Sequence, residues 1–103
     1  MAMNRDMLAR LQKMQEQALK AQQKLAQQEV QGSAGGGAVT VTLTGGMEVK
    51  ALKIAPDVVD PDDIEMLEDL VTAALNEALA KVQELQAQQL AGLAGQLGLG
   101  PSR

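Results

Sequence analysis

Arg5, Arg10, Lys13, Lys20 and Lys24 fall in the first thirty residues of this 103-residue chain, with only Asp6, Glu16 and Glu29 against them, a local net charge of +2. From Asp57 onward the balance reverses: nine acids face Lys81 and Arg103, a local net of −7 in a chain whose total is −4. A row of long cationic side chains suits one chemistry above others, the displacement of counterions from a polyanion such as a phosphate backbone. The total charge argues against a polyanion partner. The segregation argues for one, because the partner meets the local field and not the sum.

Two other clusters invite chemistry. Asp57, Asp60, Asp62 and Asp63 gather four carboxylates, as a divalent cation would require, but the spacing lacks the glycine and the oxygen ligand that a helix–loop–helix calcium loop places at its sixth and third positions. A helix start accounts for them: Asp60 as N-cap, Pro61 at the first helical position, and Asp62, Asp63 and Glu65 complementing the helix dipole. The run Gly32-Ser33-Ala34-Gly35-Gly36-Gly37 suggests a phosphate cradle. Such a cradle feeds a helix N-terminus and carries a following lysine. Here the glycines lead into an alternating β pattern, which makes them a turn between strands.

The chain contains no His, Cys, Phe, Tyr or Trp. That removes the imidazole base, the thiolate nucleophile and the usual zinc ligands. It also removes the aromatic platforms on which single-stranded bases stack. No disulfide scaffold is possible. No apolar run approaches the ~20 residues of a membrane span, and the N-terminus lacks the apolar stretch of a signal peptide. These absences point to a cytoplasmic binding protein with no cofactor, no metal, no small-molecule substrate and no enzymatic activity. A core built without aromatics in so short a chain is small, so association with a second copy is expected to supply further burial.

The elements that would position the cations follow from periodicity. Residues 4–29 contain no Gly or Pro and are rich in Gln, Ala, Leu, Lys and Glu, which predicts a helix with Asn4 as its N-cap. Met7, Leu11, Met14, Ala18, Ala21 and Leu25 recur at steps of four and three, a heptad-like seam. At about 100° per residue the seam centres near 340°, and Arg10, Lys13, Lys20 and Lys24 fall between about 200° and 280°, one strip along its flank. The bland account of such a strip is a solvated outer face. At ~1.5 Å per residue the helix is roughly 39 Å long, more than a small domain can cover, so part of it should project as an arm.

Strands are expected at about 29–34, 38–44 and 47–54. Val39, Val41 and Leu43 alternate with three threonines, and Gly45-Gly46 offers the positive φ of a tight hairpin. The third strand alternates less cleanly, which a bulge, or apolar cover on both faces, would reconcile. A second helix is expected over 61–91, with Ile64, Leu67, Val71, Ala74, Ala78, Val82 and Leu85 as its buried stripe. Residues 1–91 then form one domain of the α+β class: a long N-terminal helix, a small antiparallel sheet of two to three strands and a long C-terminal helix. Residues 92–103, with four glycines and a proline, are expected to be a flexible tail.

The strings "RLQKMQEQ", "GSAGGGAVTVTLTG", "EVKALKI" and "VDPDDIEMLEDLVTAALNEAL" occur in this order and resemble the YbaB/EbfC family of nucleoid-associated proteins, over residues 4 to 92. The resemblance implies a tweezer-shaped homodimer, located in the nucleoid, that binds double-stranded DNA without catalysis and organises or protects the chromosome. Carried onto this chain, it makes Arg5, Arg10, Lys13, Lys20 and Lys24 the DNA-binding residues and gives the Asp60-Pro61-Asp62-Asp63 string a structural role. The tail departs from the family pattern. A different class stays open beside it: helix, hairpin, helix is also the order of prefoldin-type chaperone or adaptor subunits, whose paired helices end in apolar grips.

Overall fold

The computed structural model describes residues 4–96. Helix α1 spans Arg5–Gln27, strands β1, β2 and β3 span Glu29–Ala34, Val39–Thr44 and Val49–Ile54, a 3-10 turn follows at Pro56–Val58, and helix α2 runs from Ile64 to Gln96. The class is α+β, with long helices at both ends of the chain and a three-stranded antiparallel sheet in the order β1-β2-β3 between them. The molecule is elongated, 73 × 31 × 19 Å, and its radius of gyration of 20.3 Å far exceeds the ~13 Å of a compact chain of about 100 residues.

The core lies between the first half of α2 and the inner face of the sheet. Val39, Val41 and Leu43 from β2 meet Ala74, Ala78 and Val82 from α2, and all six are buried. Leu67, Leu70, Val71, Leu75 and Leu79 widen this contact on the helix side, while Val30 and Ala34 extend it on β1. The alanines let the helix come close. At Gly32 an added Cβ would overlap the Ala74 carbonyl oxygen and the Ala78 backbone nitrogen, so this position has a glycine for approach distance and not for flexibility. Ile64 belongs to the expected stripe but stands 49% exposed at the helix start, ahead of the turn that first meets the sheet.

Gly35, Gly36 and Gly37 all have φ between 64° and 93° and turn β1 into β2, a left-handed run that side chains disfavour. The second hairpin differs from its expected form. Its connection has four residues, closed by Thr44 N–H to the Glu48 carbonyl at 2.9 Å and Met47 N–H to the Thr44 carbonyl at 3.0 Å. The positive φ there belongs to Met47, at 68°, and to neither Gly45 nor Gly46. The bulge is present: Thr42 pairs with Ala51 and Leu43 with Val49, which leaves Lys50 over. It turns Val49 onto the same face as Leu52 and Ile54 and so repairs the broken alternation.

The bounds of α2 also differ from their expected form. Asp60 closes a separate turn, its Oδ1 accepting from Asp62 N–H at 2.9 Å and its carbonyl from Asp63 N–H at 2.9 Å. Asp63 then caps the helix, with Oδ1 accepting from Met66 N–H at 3.2 Å. At the other end α2 continues through Gly92 and Gly95 to Gln96. Each glycine costs a helix only about 1 kcal/mol, and the Ala, Leu and Gln around them are good helix formers. Of the expected tail, residues 97–103 lie outside the described part of the chain.

Candidate nucleic-acid interface

Helix α1 begins cleanly because Asn4 Oδ1 accepts from Met7 N–H at 2.7 Å, a side-chain cap for one of the helix's free donors. It ends at Gln28, whose N–H returns to the Lys24 and Leu25 carbonyls. Only the last three turns touch the rest of the molecule. Gly45 is the anchor: a Cβ there would overlap the Leu25 carbonyl oxygen, and its N–H donates to the Gln28 carbonyl at 2.9 Å. Gln86 Nε2 on α2 donates to the Gly45 carbonyl at 3.2 Å, so the hairpin tip ties both helices together. That close approach explains the Gly45-Gly46 pair, which sequence reasoning assigned to turn geometry.

Beyond this anchor α1 lies antiparallel along the second half of α2. Ala21 and Leu25 share one cleft with Leu85, Gln88 and Gln89, and Ala18 shares the next with Gln89 and Leu90. The arm is therefore a pair of helices and not α1 alone. Its α2 half carries no charged residue from Leu85 to Gln96. The acids of α2 precede that stretch: Glu65, Glu68 and Asp69 occupy its first two turns, and Glu77 and Glu84 follow along the helix. The part of α2 that lies along α1 is thus the part without charge. The uncharged stretch from Leu85 onward was the sequence signal for this arrangement, and only the antiparallel packing gives it meaning.

Arg5, Arg10, Lys13, Lys20 and Lys24 are all exposed. The two ion pairs among the described residues are Lys50–Glu48 at 3.1 Å and Lys81–Glu77 at 3.3 Å, so none of the five is engaged by an acid. Helix geometry puts Arg10, Lys13, Lys20 and Lys24 on one strip roughly 21 Å long, and Arg5 about 100° round from its centre. Lys24 lines the cleft between the helices beside Gln88. Lys53, opposite Thr40 on the outer sheet face, is a further exposed cation that sequence periodicity did not single out. Lys81 has a different use: its Nζ donates to the Gln31 carbonyl of edge strand β1 at 2.7 Å, which blunts that edge against pairing.

The Asp57–Asp63 segment is accounted for by caps. Asp60 and Asp63 each commit a carboxylate oxygen to a backbone N–H, and no group of three potential ligands converges on a metal position among the described residues. No helix among them is long and apolar enough to cross a membrane.

Residues 1–97 match the model of the YbaB/EbfC DNA-binding family. A protein of Rhodococcus opacus named nucleoid-associated protein is 54% identical over 94 residues, covering 91% of this chain and 83% of that one. One of the same name from Acetivibrio thermocellus is 46% identical over 93 residues, covering 90% and 82%. The crystal structure of an uncharacterized protein from Helicobacter pylori shares the fold, with a TM-score of 0.73 at 22% identity over 89% of this chain and 98% of that one.

Proposed function

This chain belongs to the YbaB/EbfC DNA-binding family, and on that premise we propose that it is a nucleoid-associated protein of the cytoplasm that binds double-stranded DNA as a homodimer, through phosphate contacts and without catalysis. The observation that carries this reading is the arm: five cations free of acidic partners on one helix, beside a second helix segment with no charge to offset them. Phosphate contacts fix position along a duplex and carry no base information, and the chain has no aromatic side chain to wedge between bases. Weak sequence preference follows.

The homodimer is supported by the uncovered part of the sheet. Helix α2 packs over β1 and β2 and leaves Val49, Leu52 and Ile54 of β3 58%, 49% and 37% exposed. Their register partners are Leu43, Val41 and Val39, so they continue the core face. An apolar surface of that kind marks an interface. A second copy meeting it face to face leaves the two arms projecting, as tweezers around a duplex.

The salt dependence of binding tests this. With about four to eight phosphates neutralised, log K against log salt should fall with a slope of roughly −4 to −7. Lys13→Glu, Lys20→Glu and Lys24→Glu together should abolish binding while leaving thermal unfolding unchanged. A flat salt profile or undiminished binding by the triple variant would overturn the reading. One observation favours a second reading, a chaperone or adaptor: the outer half of α1 exposes Met7, Leu8, Leu11 and Met14, an apolar grip of the kind that role needs. Suppression of client aggregation that survives the triple variant would select it.

A further inference from the structure

Two clefts flank the line along which α1 meets α2, and they differ in charge. The first, about 320 Å³, has Leu25 and Leu85 as apolar walls and Lys24, Gln28, Gln88 and Gln89 around them. The second, about 240 Å³, has Leu25 and Leu90 as walls and Gln22, Gln86 and Gln89 as its polar lining. Lys24 is the single charged residue of the first cleft, and no charged residue lines the second. Lys20 and Lys24 stand one turn apart on α1, about 6 Å, so the cationic strip runs into the first cleft. Gln22 lies about 160° round the helix from Lys24, on the other side of the seam. The amides also differ in what they are free to do. Gln86 gives its Nε2 to the Gly45 carbonyl, whereas no hydrogen bond or ion pair among the described residues engages the exposed side chains of Lys24, Gln28 and Gln88.

We propose that the first cleft is a phosphate-binding site shared by both helices, its occupant a backbone phosphate of duplex DNA. Lys24 Nζ supplies the charge, and the side-chain amides of Gln28 and Gln88 supply neutral hydrogen bonds. The proposal rests on the DNA-binding reading and extends it to α2, which has no cation of its own from Leu85 to Gln96. The donor set suits a phosphate oxygen: each carboxamide offers two N–H donors and the ammonium three. No acid lines the cleft to repel the anion. The half-buried Leu25 and Leu85 beside it lower the local dielectric, which strengthens each polar contact made there. Glu84 stands one turn before Gln88 on α2, outside the lining, and sets the inner limit of the site. Charge decides between the two clefts, since the second offers an anion amides alone.

Neutral and charged contacts have different salt signatures, which makes the site testable in the full-length chain. Gln28→Ala with Gln88→Ala should lower duplex affinity about fivefold at every salt concentration. It should leave the slope of log K against log salt unchanged, because a carboxamide displaces no counterion. Lys24→Gln should instead reduce that slope by about 1. Gln22→Ala, in the charge-free cleft, should change neither quantity, and thermal unfolding should be the same for all these variants. In a second measurement, the side-chain NH2 resonances of Gln28 and Gln88 should shift when a short duplex is added, and those of Gln22 should not. The site is overturned if the unaltered chain binds duplex and the double variant binds equally well, loses no more than Gln22→Ala, or flattens the slope as Lys24→Gln does. Equal resonance shifts at Gln22 would overturn it too. An unaltered chain that binds no duplex even at low salt overturns the DNA-binding reading itself, and the site with it.

Discussion

The two halves of α2 share one uninterrupted helix and are built for different tasks. The first half, from Ile64 to about Val82, is acidic outside and presses alanines and branched aliphatics onto β1 and β2. The second half, from Leu85 to Gln96, is uncharged, rich in glutamine and only loosely covered by α1. Stability is concentrated where the side chains interlock with the sheet. The second half contributes rigidity and length to the arm, and its lack of acids leaves the field of α1 undiminished. One element therefore spans the body and the projecting arm, and the change of composition near Leu85 marks the boundary.

Five substitutions test this contrast. The largest effect is expected in the body. Gly32→Ala forces a Cβ into the α2 backbone at Ala74 and Ala78 and should lower unfolding free energy by about 3 kcal/mol, the upper range for overpacking, as read by chemical denaturation. The same Gly→Ala change at Gly92 in the arm, where a Cβ meets nothing within 4 Å, should be neutral or stabilise by up to about 1 kcal/mol. A loss at Gly92 as large as that at Gly32 would erase the distinction between the halves.

Removing the cap, Asp63→Ala, should cost about 1 kcal/mol and leave DNA affinity at fixed salt unchanged, because Asp63 lies at the end of the molecule remote from α1. The converse change, Gln88→Glu beside Lys24, should leave thermal unfolding unaltered. It should weaken duplex binding severalfold and reduce the salt slope by about 1, as one phosphate contact is lost to an internal pair. The smallest effect is expected for Met47→Gly: relief of its left-handed backbone is worth at most about 1 kcal/mol, less the added freedom of the unfolded chain.

Much of this was legible in the order of residues. The α1 seam and the cationic strip follow from 3.6-residue periodicity alone, and the Val39-Thr40-Val41-Thr42-Leu43-Thr44 alternation predicts both β2 and its buried face. The irregular third strand left a bulge and two-sided apolar cover open, and the structure has the bulge. The misreadings have a common cause. Asp60 and Asp63 are both good caps with suitable residues after them, and the choice between them depends on which backbone turn closes first. Gly45-Gly46 reads as a turn signal whether its purpose is positive φ or room for a neighbouring helix. Gly92 and Gly95 read as breakers because local propensity takes no account of a helix already propagating and packed on another.

What the amino-acid order determined by itself is the local inventory: the helices, the strands, the strip of cations and the chemistry excluded by the missing residue types. These depend on interactions within a few residues of each other. Only tertiary structure decided that α1 packs antiparallel on the second half of α2, that the α1 cations therefore lie beside its uncharged stretch, and that β3 keeps an apolar face uncovered. Each of these is set by contacts between residues more than forty positions apart, such as Gln86 to Gly45 and Lys81 to Gln31. No periodicity along the chain encodes such a pairing, because it is selected by the fit of whole surfaces.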